Sequence, residues 1–162
     1  MARRIRDGIA YLRENPIALE AFRLANHAIL LQQLRQKPGT RIPRFDKAAN
    51  RIVFDEPLES PDPAAPAEGR GKWRPFQIAF ILATIRSIAE DQIPERELVD
   101  LLWFPTGGGK TEAYLGLAAF AIFLRRLKDG NDKGVHVIMR YTLRLLTAQQ
   151  FQRAASLICA ME

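Results

Sequence analysis

The sequence predicts an α/β domain with parallel strands, preceded by a mainly helical N-terminal region. Two short apolar runs, at residues 98–103 and 135–139, have the length and composition of buried strands. Between them, residues 114–127 are largely apolar and rich in helix-forming residues. A strand, a helix and a second strand in this order form a unit whose strands run parallel, which gives the predicted fold class.

Residues 1–54 form the predicted helical region. Asn15 suits the N-cap of a helix and Pro16 its first position, because the N–H that proline lacks would be unpaired there. Ile17, Leu24 and Leu31 follow at heptad spacing. The region is therefore expected to contain a helix with one buried face.

A segment rich in proline and glycine, residues 55–72, separates this region from the rest of the chain. It has prolines at positions 57, 61, 63 and 66 and glycines at 69 and 71, a composition that packs no core. Upstream of it, a turn is expected at residues 38–39 and a short strand at residues 51–54. We therefore predict a linker or exposed loop over residues 55–72 and a second region over residues 73–162.

The composition favours a cytoplasmic protein with a polyanionic partner. The 162 residues carry a net charge of +6 and have a sequence pI near 9.9, and a basic balance of this kind suits a nucleic acid without proving one. The single cysteine, Cys159, excludes an internal disulfide and fits a reducing compartment. The longest apolar stretch, residues 113–124, is too short to span a bilayer, and no secretory signal follows the first arginines.

A glycine-rich loop, residues 104–111, is the strongest functional signal. It reads Phe-Pro-Thr-Gly-Gly-Gly-Lys-Thr and lies between a predicted strand and a predicted helix. Glycine lets backbone N–H groups approach phosphate oxygens, and a helix start adds unpaired N–H groups and positive dipole charge. Lys110 suits the β- and γ-phosphates of ATP and the Thr111 hydroxyl suits Mg²⁺, so both are assigned catalytic roles. The predicted phosphate-binding residues are Thr106, Gly107, Gly108, Gly109, Lys110 and Thr111. The alternative is a glycine-rich turn that binds nothing.

The segment that follows the second predicted strand, residues 140–150, is a candidate contact for a nucleic-acid backbone. Thr142 can cap a new helix whose free N–H groups bind phosphate, and Arg144 adds positive charge there. A basic residue in a first helical turn opposes the helix dipole, and a phosphate partner would relieve that cost. The alternative is a plain crossover helix with Leu145, Leu146 and Phe151 in the core.

Three elements together resemble superfamily 2 helicases. The loop resembles their motif I, although Phe104 stands where the general phosphate-loop pattern has its first glycine. The run at residues 73–77, Trp-Arg-Pro-Phe-Gln, resembles the element upstream of motif I whose glutamine recognises adenine, and residues 140–150 resemble motif Ia, which grips the nucleic-acid backbone. An amide suits adenine because it donates and accepts at once. On this resemblance Gln77 reads the base with Arg74 nearby, and the alternative is a surface glutamine on an ordinary amphipathic helix.

Longer stretches, such as FPTGGGKTEAYLGLAAF, are similar to the helicase subunits of the DISARM anti-phage defence system. The resemblance implies that residues 73–162 are the first part of a RecA-like P-loop NTPase domain. It implies an ATP-driven motor that uses Mg²⁺, engages single-stranded or duplex-end DNA, and acts with a partner subunit in bacterial immunity.

Catalysis by this chain alone is not expected. Hydrolysis requires an acidic motif II that holds magnesium and orients water, and after Glu112 the acidic residues are Asp129, Asp132 and Glu162, none in a suitable place. A second motor domain is missing as well, so the chain is expected to be incomplete. Two alternatives stay open: a nucleotide- or DNA-binding fragment without catalysis, and a different P-loop NTPase.

Overall fold

The computed structural model describes residues 1–35, 42–54, 62–66, 68–105, 107–140 and 144–162. These residues contain five α-helices: α1 (Ala2–Glu14), α2 (Pro16–Arg35), α3 (Pro75–Ala89), α4 (Lys110–Lys128) and α5 (Arg144–Met161). They also contain two strands, β1 (Pro43–Asp46) and β2 (Arg51–Phe54), and a short 3₁₀ helix, Pro94–Glu97. The two strands pair antiparallel, with Pro43 opposite Phe54.

The predicted α/β fold with parallel strands is wrong, and so is its assignment as part of a RecA-like domain. The described residues are 61% helical and 6% strand, and their two strands form one antiparallel hairpin. The apolar runs at 98–103 and 135–139 are not strands, and Val99, Trp103 and Ile138 are 97%, 88% and 87% exposed. A strand takes its hydrogen bonds from a neighbouring strand, and neither run has such a neighbour among the described residues.

The core lies between the helices. α2 packs against α4, α1 packs against α3, and α3 also packs against α4. The face that α2 buries consists mainly of alanines, so the backbones of α2 and α4 can approach closely, and it includes Ala18, Ala21, Ala25, Ala28 and Ile29. The predicted buried face, a heptad of residues 17, 24 and 31, is therefore not the one that α2 buries. Ile17 is 46% exposed, and the small side chains are buried instead.

The local signals at helix starts are confirmed. The Asn15 side-chain oxygen accepts a hydrogen bond from the Ala18 N–H at 3.0 Å, and α2 begins at Pro16. α3 begins at Pro75, and β2 covers the short strand expected at residues 51–54. The turn expected at residues 38–39 lies outside the described residues.

Helices from both sides of the predicted linker share one core. Trp73, just after the linker, donates from its ring N–H to the Asn26 side chain of α2 at 2.5 Å. The same ring covers Gly116 of α4, where an added Cβ would lie 2.7 Å from a Trp73 carbon. The start of α3 is thereby fixed against α2 and α4, which positions it beside the glycine-rich loop. No helix in the described part of the chain is long and apolar enough to cross a bilayer.

Candidate nucleotide-binding site

The backbone of the glycine-rich loop requires glycine at three successive positions. Gly107 and Gly109 have φ angles of 78° and 89°, in the left-handed region that side chains disfavour. Gly108 needs its small size, because an added Cβ would lie 2.8 Å from the Phe104 ring and 3.0 Å from the Pro105 carbonyl oxygen. The three glycines therefore set the loop's shape, and Thr106 lies outside the described residues.

Two side chains at the start of α3 hold the loop's carbonyl groups. The Arg74 guanidinium donates to the Gly108 carbonyl at 2.8 Å, and the Gln77 amide donates to the Gly109 carbonyl at 2.7 Å. The Gln77 side-chain oxygen accepts from the Arg74 backbone N–H at 2.7 Å, and Gln77 is only 4% exposed. The structure thus brings both sequence-predicted residues to the loop, with both polar atoms of the Gln77 amide bonded within the protein.

Lys110 closes the loop from the other side. It is the first residue of α4, and its ammonium group donates to the carbonyls of Phe104 at 2.5 Å and Pro105 at 3.1 Å. Gly109 is the N-cap of α4 and has no side chain to bond the N–H groups of the first turn. These N–H groups, the helix dipole and the Lys110 charge together form a site suited to a phosphate group.

The described residues offer a magnesium ion one hydroxyl beside the loop and no ready-made set of ligands. They contain no cluster of three or more His, Cys, Asp or Glu side chains able to hold a metal ion. Thr111, the second residue of α4, carries a hydroxyl next to the loop. A magnesium ion at this position would therefore depend on that hydroxyl together with phosphate oxygens and water.

The sequence did not predict two contacts around the loop. Phe104 stacks on Phe76 of α3 with ring centroids 3.9 Å apart, which fixes the entry to the loop. Glu112, in the first turn of α4, forms an ion pair with Arg153 of α5. Phe104 was marked by its departure from the usual phosphate-loop pattern, whereas Arg153 lies 41 residues from Glu112 and no local signal links them.

The extended segment that leads into the loop is anchored to α1. Both Asp100 carboxylate oxygens accept hydrogen bonds from the Arg4 guanidinium, at 2.6 and 2.8 Å. The hydrogen bond from Arg4 holds the pKa of Asp100 below its usual range, and the hydrogen bond to Asp100 raises the pKa of Arg4. The approach to the loop is therefore fixed by a charged contact rather than by a sheet.

The predicted nucleic-acid contacts stay predictions. Thr142 lies outside the described residues, and Arg144 is the first residue of α5. The first turn of α5 carries no acidic residue. Phe151, which the crossover-helix alternative places in the core, is 73% exposed, and Leu157 of α5 is buried instead.

Comparison with known proteins relates the chain to a curated DISARM protein. No family model matches the chain, and no solved structure matches it. The chain is 41% identical over 169 aligned residues to the DISARM protein DrmA of Bacillus paralicheniformis. The alignment covers 98% of this chain but only 14% of that protein. The chain is thus related to one segment of DrmA, and it spans about 14% of DrmA's length.

Proposed function

We propose that this chain is the ATP-binding portion of a superfamily 2 DNA helicase or translocase that acts in anti-phage defence of the DISARM type. In the complete protein, ATP hydrolysis would drive movement on DNA, together with a partner subunit. The observation that carries the proposal is the glycine-rich loop, whose carbonyls at positions 108 and 109 are held by Arg74 and Gln77. The relation to DrmA supports the defence role.

Phosphate binding follows from how the loop's polar groups are used. Because Arg74 and Gln77 hold two loop carbonyls, these oxygens are kept from a bound anion, and the first-turn N–H groups of α4 stay available to it. Lys110 would exchange its bonds to the Phe104 and Pro105 carbonyls for bonds to phosphate oxygens, which are stronger because both partners are charged. Thr111 would offer its hydroxyl to Mg²⁺, which neutralises charge on the phosphates when bound.

Arg74 and Gln77 support the site by holding the loop, and Gln77 is the residue proposed to read adenine. Both polar atoms of its amide are bonded within the protein, so reading the base requires Gln77 to exchange or share these bonds. Competition binding of ATP and GTP to Gln77→Ala separates the two roles. A lost preference for ATP supports base reading, and an equal loss of affinity for both nucleotides assigns Gln77 to the loop alone.

The phosphate backbone of DNA would contact the N-terminal end of α5. Its first-turn N–H groups and the positive end of its dipole favour an anion, and Thr142 and Arg144 are the proposed contacts. The net charge of +6 supports a polyanionic partner.

The second candidate function is nucleotide binding without hydrolysis. The position of the acidic residue Asp132 in the 162-residue chain favours it. The Asp132 carboxylate accepts hydrogen bonds from the Arg125 guanidinium at 2.7 Å and the Gly134 N–H at 3.1 Å, in a turn after α4. It lies past the C-terminal end of α4, a helix of 19 residues and therefore about 28 Å long, so it is too far from the loop to orient a water there. We expect the chain to bind Mg·ATP and to release no phosphate. A phosphate-release assay tests this with protein that has been shown by titration calorimetry to bind Mg·ATP.

Titration calorimetry with Mg·ATP tests the proposed site. Lys110→Ala is expected to lower affinity by roughly tenfold to a hundredfold, because a hydrogen bond to a charged group is worth about 1.5–3 kcal/mol. Lys128→Ala is the matched control, since Lys128 lies at the other end of α4 and donates to the Ala89 carbonyl at 3.1 Å. Equal affinity of the wild type and Lys110→Ala would remove the phosphate-loop assignment.

A further inference from the structure

The hairpin of β1 and β2 exposes one apolar face. Phe45 pairs with Ile52 and Pro43 pairs with Phe54, so these four side chains lie on the same face of the ribbon. Phe45, Ile52 and Phe54 are 60%, 63% and 47% exposed. The two strands pack against each other, and no extensive contact joins either of them to a helix in the described part of the chain. A two-stranded hairpin is only marginally stable by itself, so its exposed apolar face indicates an interaction surface.

The turn end of the hairpin carries positive charge. Lys47 lies in the turn and Arg51 begins β2, and both are exposed. Asp46 provides the single carboxylate of residues 42–54, and one of its oxygens accepts hydrogen bonds from the N–H groups of Ala48 and Ala49 at 2.9 and 3.1 Å. The two residues that follow β2 in sequence are acidic, so the cations lead at the turn and not at the open end. The turn end therefore combines two exposed cations with part of the apolar face.

A single strand of nucleic acid matches both of these features. Its bases have apolar faces that stack on aromatic rings, and each nucleotide adds a phosphate for a cation. In a duplex these base faces are hidden by stacking on one another, and a protein surface would need carboxylates placed separately for Lys47 and Arg51. Phe45 and Phe54 are diagonal neighbours across the strand pair, about 7–8 Å apart, so the two rings can take bases from neighbouring nucleotides.

We propose that the β1–β2 hairpin binds single-stranded nucleic acid. Phe45 stacks on a base, Phe54 offers a second ring, and Lys47 and Arg51 contact phosphates. Binding is insensitive to sequence, because every base has a face that can stack. This site goes beyond the proposed function, whose DNA contact lies at α5, and it requires neither ATP nor the glycine-rich loop.

Fluorescence anisotropy of a labelled oligo-dT, titrated with the 162-residue chain, tests the ring. Phe45→Leu keeps an apolar side chain but removes the aromatic face, and it is expected to lower affinity roughly fivefold to a hundredfold. Phe45→Tyr keeps the ring and should bind as the wild type does. Trp103→Leu is the matched control, because Trp103 is an aromatic residue outside the hairpin that is 88% exposed, and it should leave affinity unchanged.

The salt dependence of the same titration tests the cations. Lys47→Gln and Arg51→Gln should each make the slope of log affinity against log salt concentration shallower by about 0.7, the value for one lost phosphate contact on a single strand. Arg6→Gln removes an exposed cation of α1 and should keep the wild-type slope.

Photo-crosslinking of oligo-dT to the wild-type chain locates the contact without any variant. Crosslinked peptides are expected to include residues 42–54. Crosslinks confined to α5, or equal affinity of the wild type and folded Phe45→Leu, would overturn this inference and leave the α5 contact standing. A wild-type chain that binds no oligo-dT overturns both DNA contacts, whereas nucleotide binding is measured separately by calorimetry. Self-association that Phe45→Leu abolishes, in a chain without affinity for oligo-dT, would assign the hairpin to protein contacts instead.

Discussion

The helix pair α2 and α4 and the two extended segments that flank α4 differ in burial although all of them are rich in apolar residues. Phe120 of α4 is fully buried, whereas Trp103 in the preceding segment is 88% exposed. A helix forms its hydrogen bonds within itself and needs a partner only for its apolar face, which α2 and α4 give each other. An extended segment needs a partner for its backbone as well, so an apolar sequence alone does not make a strand.

The glycine-rich loop lies where these two kinds of structure meet. The chain enters it from the exposed segment and leaves it as α4. Its shape comes from the helical side, since Gln77 and Phe76 of α3 and Arg74 just before that helix contact it. The loop is therefore shaped by contacts with helices, and no sheet lies beneath it among the described residues.

The largest expected effect distinguishes the buried region from the exposed one. Phe120→Ala should lower the free energy of unfolding by about 3–5 kcal/mol, because it opens a cavity in the core. Trp103→Ala should change it by no more than about 0.5 kcal/mol, because little area is lost from an exposed side chain. Urea unfolding followed by circular dichroism measures both. Similar losses for the two variants would mean that the segment before the loop is packed as a buried strand.

The sequence predicted the features that depend on neighbouring residues. Asn15 as a cap, Pro75 at a helix start and the helix after the glycines all follow from local hydrogen bonding and backbone geometry. The sequence predicted a parallel sheet that the described residues do not form. This prediction failed because strand pairing depends on partners distant in sequence. The Glu112–Arg153 pair was missed for the same reason, and the alanine face of α2 was missed because a heptad of larger residues gave the stronger pattern.

A smaller loss of stability is expected at the start of α2, where it tests whether the Asn15 cap stabilises this helix. Asn15→Ala should lower the free energy of unfolding by about 1 kcal/mol, because the Ala18 N–H loses its side-chain acceptor. Asn15→Asp keeps an acceptor at the same position and should stay close to the wild type. If thermal melts show equal losses for both variants, the cap does not contribute through this hydrogen bond.

The smallest effect concerns the anchor of the extended segment. The pKa of Asp100 is lowered in the folded chain by its hydrogen bond from Arg4, so the pair stabilises the fold above the ordinary aspartate pKa of about 3.9 and this contribution disappears as the pH falls through the lowered value. Asp100→Asn should therefore cost about 0.2–1 kcal/mol at neutral pH. Unfolding curves recorded from neutral to acidic pH should show the variant and wild type converging. A gap that stays constant with pH would show that the ion pair is not its source.

The measurement that tests the central claim most directly is the affinity of the chain for AMP, ADP and ATP in the presence of Mg²⁺. If the loop binds phosphate through Lys110 and the first turn of α4, affinity should rise with each added phosphate, and Lys110→Ala should remove most of the gain from AMP to ATP while its thermal melt stays that of a folded protein. Equal affinity for the three nucleotides, or the same increase in folded Lys110→Ala, would contradict the assignment of this loop as a phosphate-binding site.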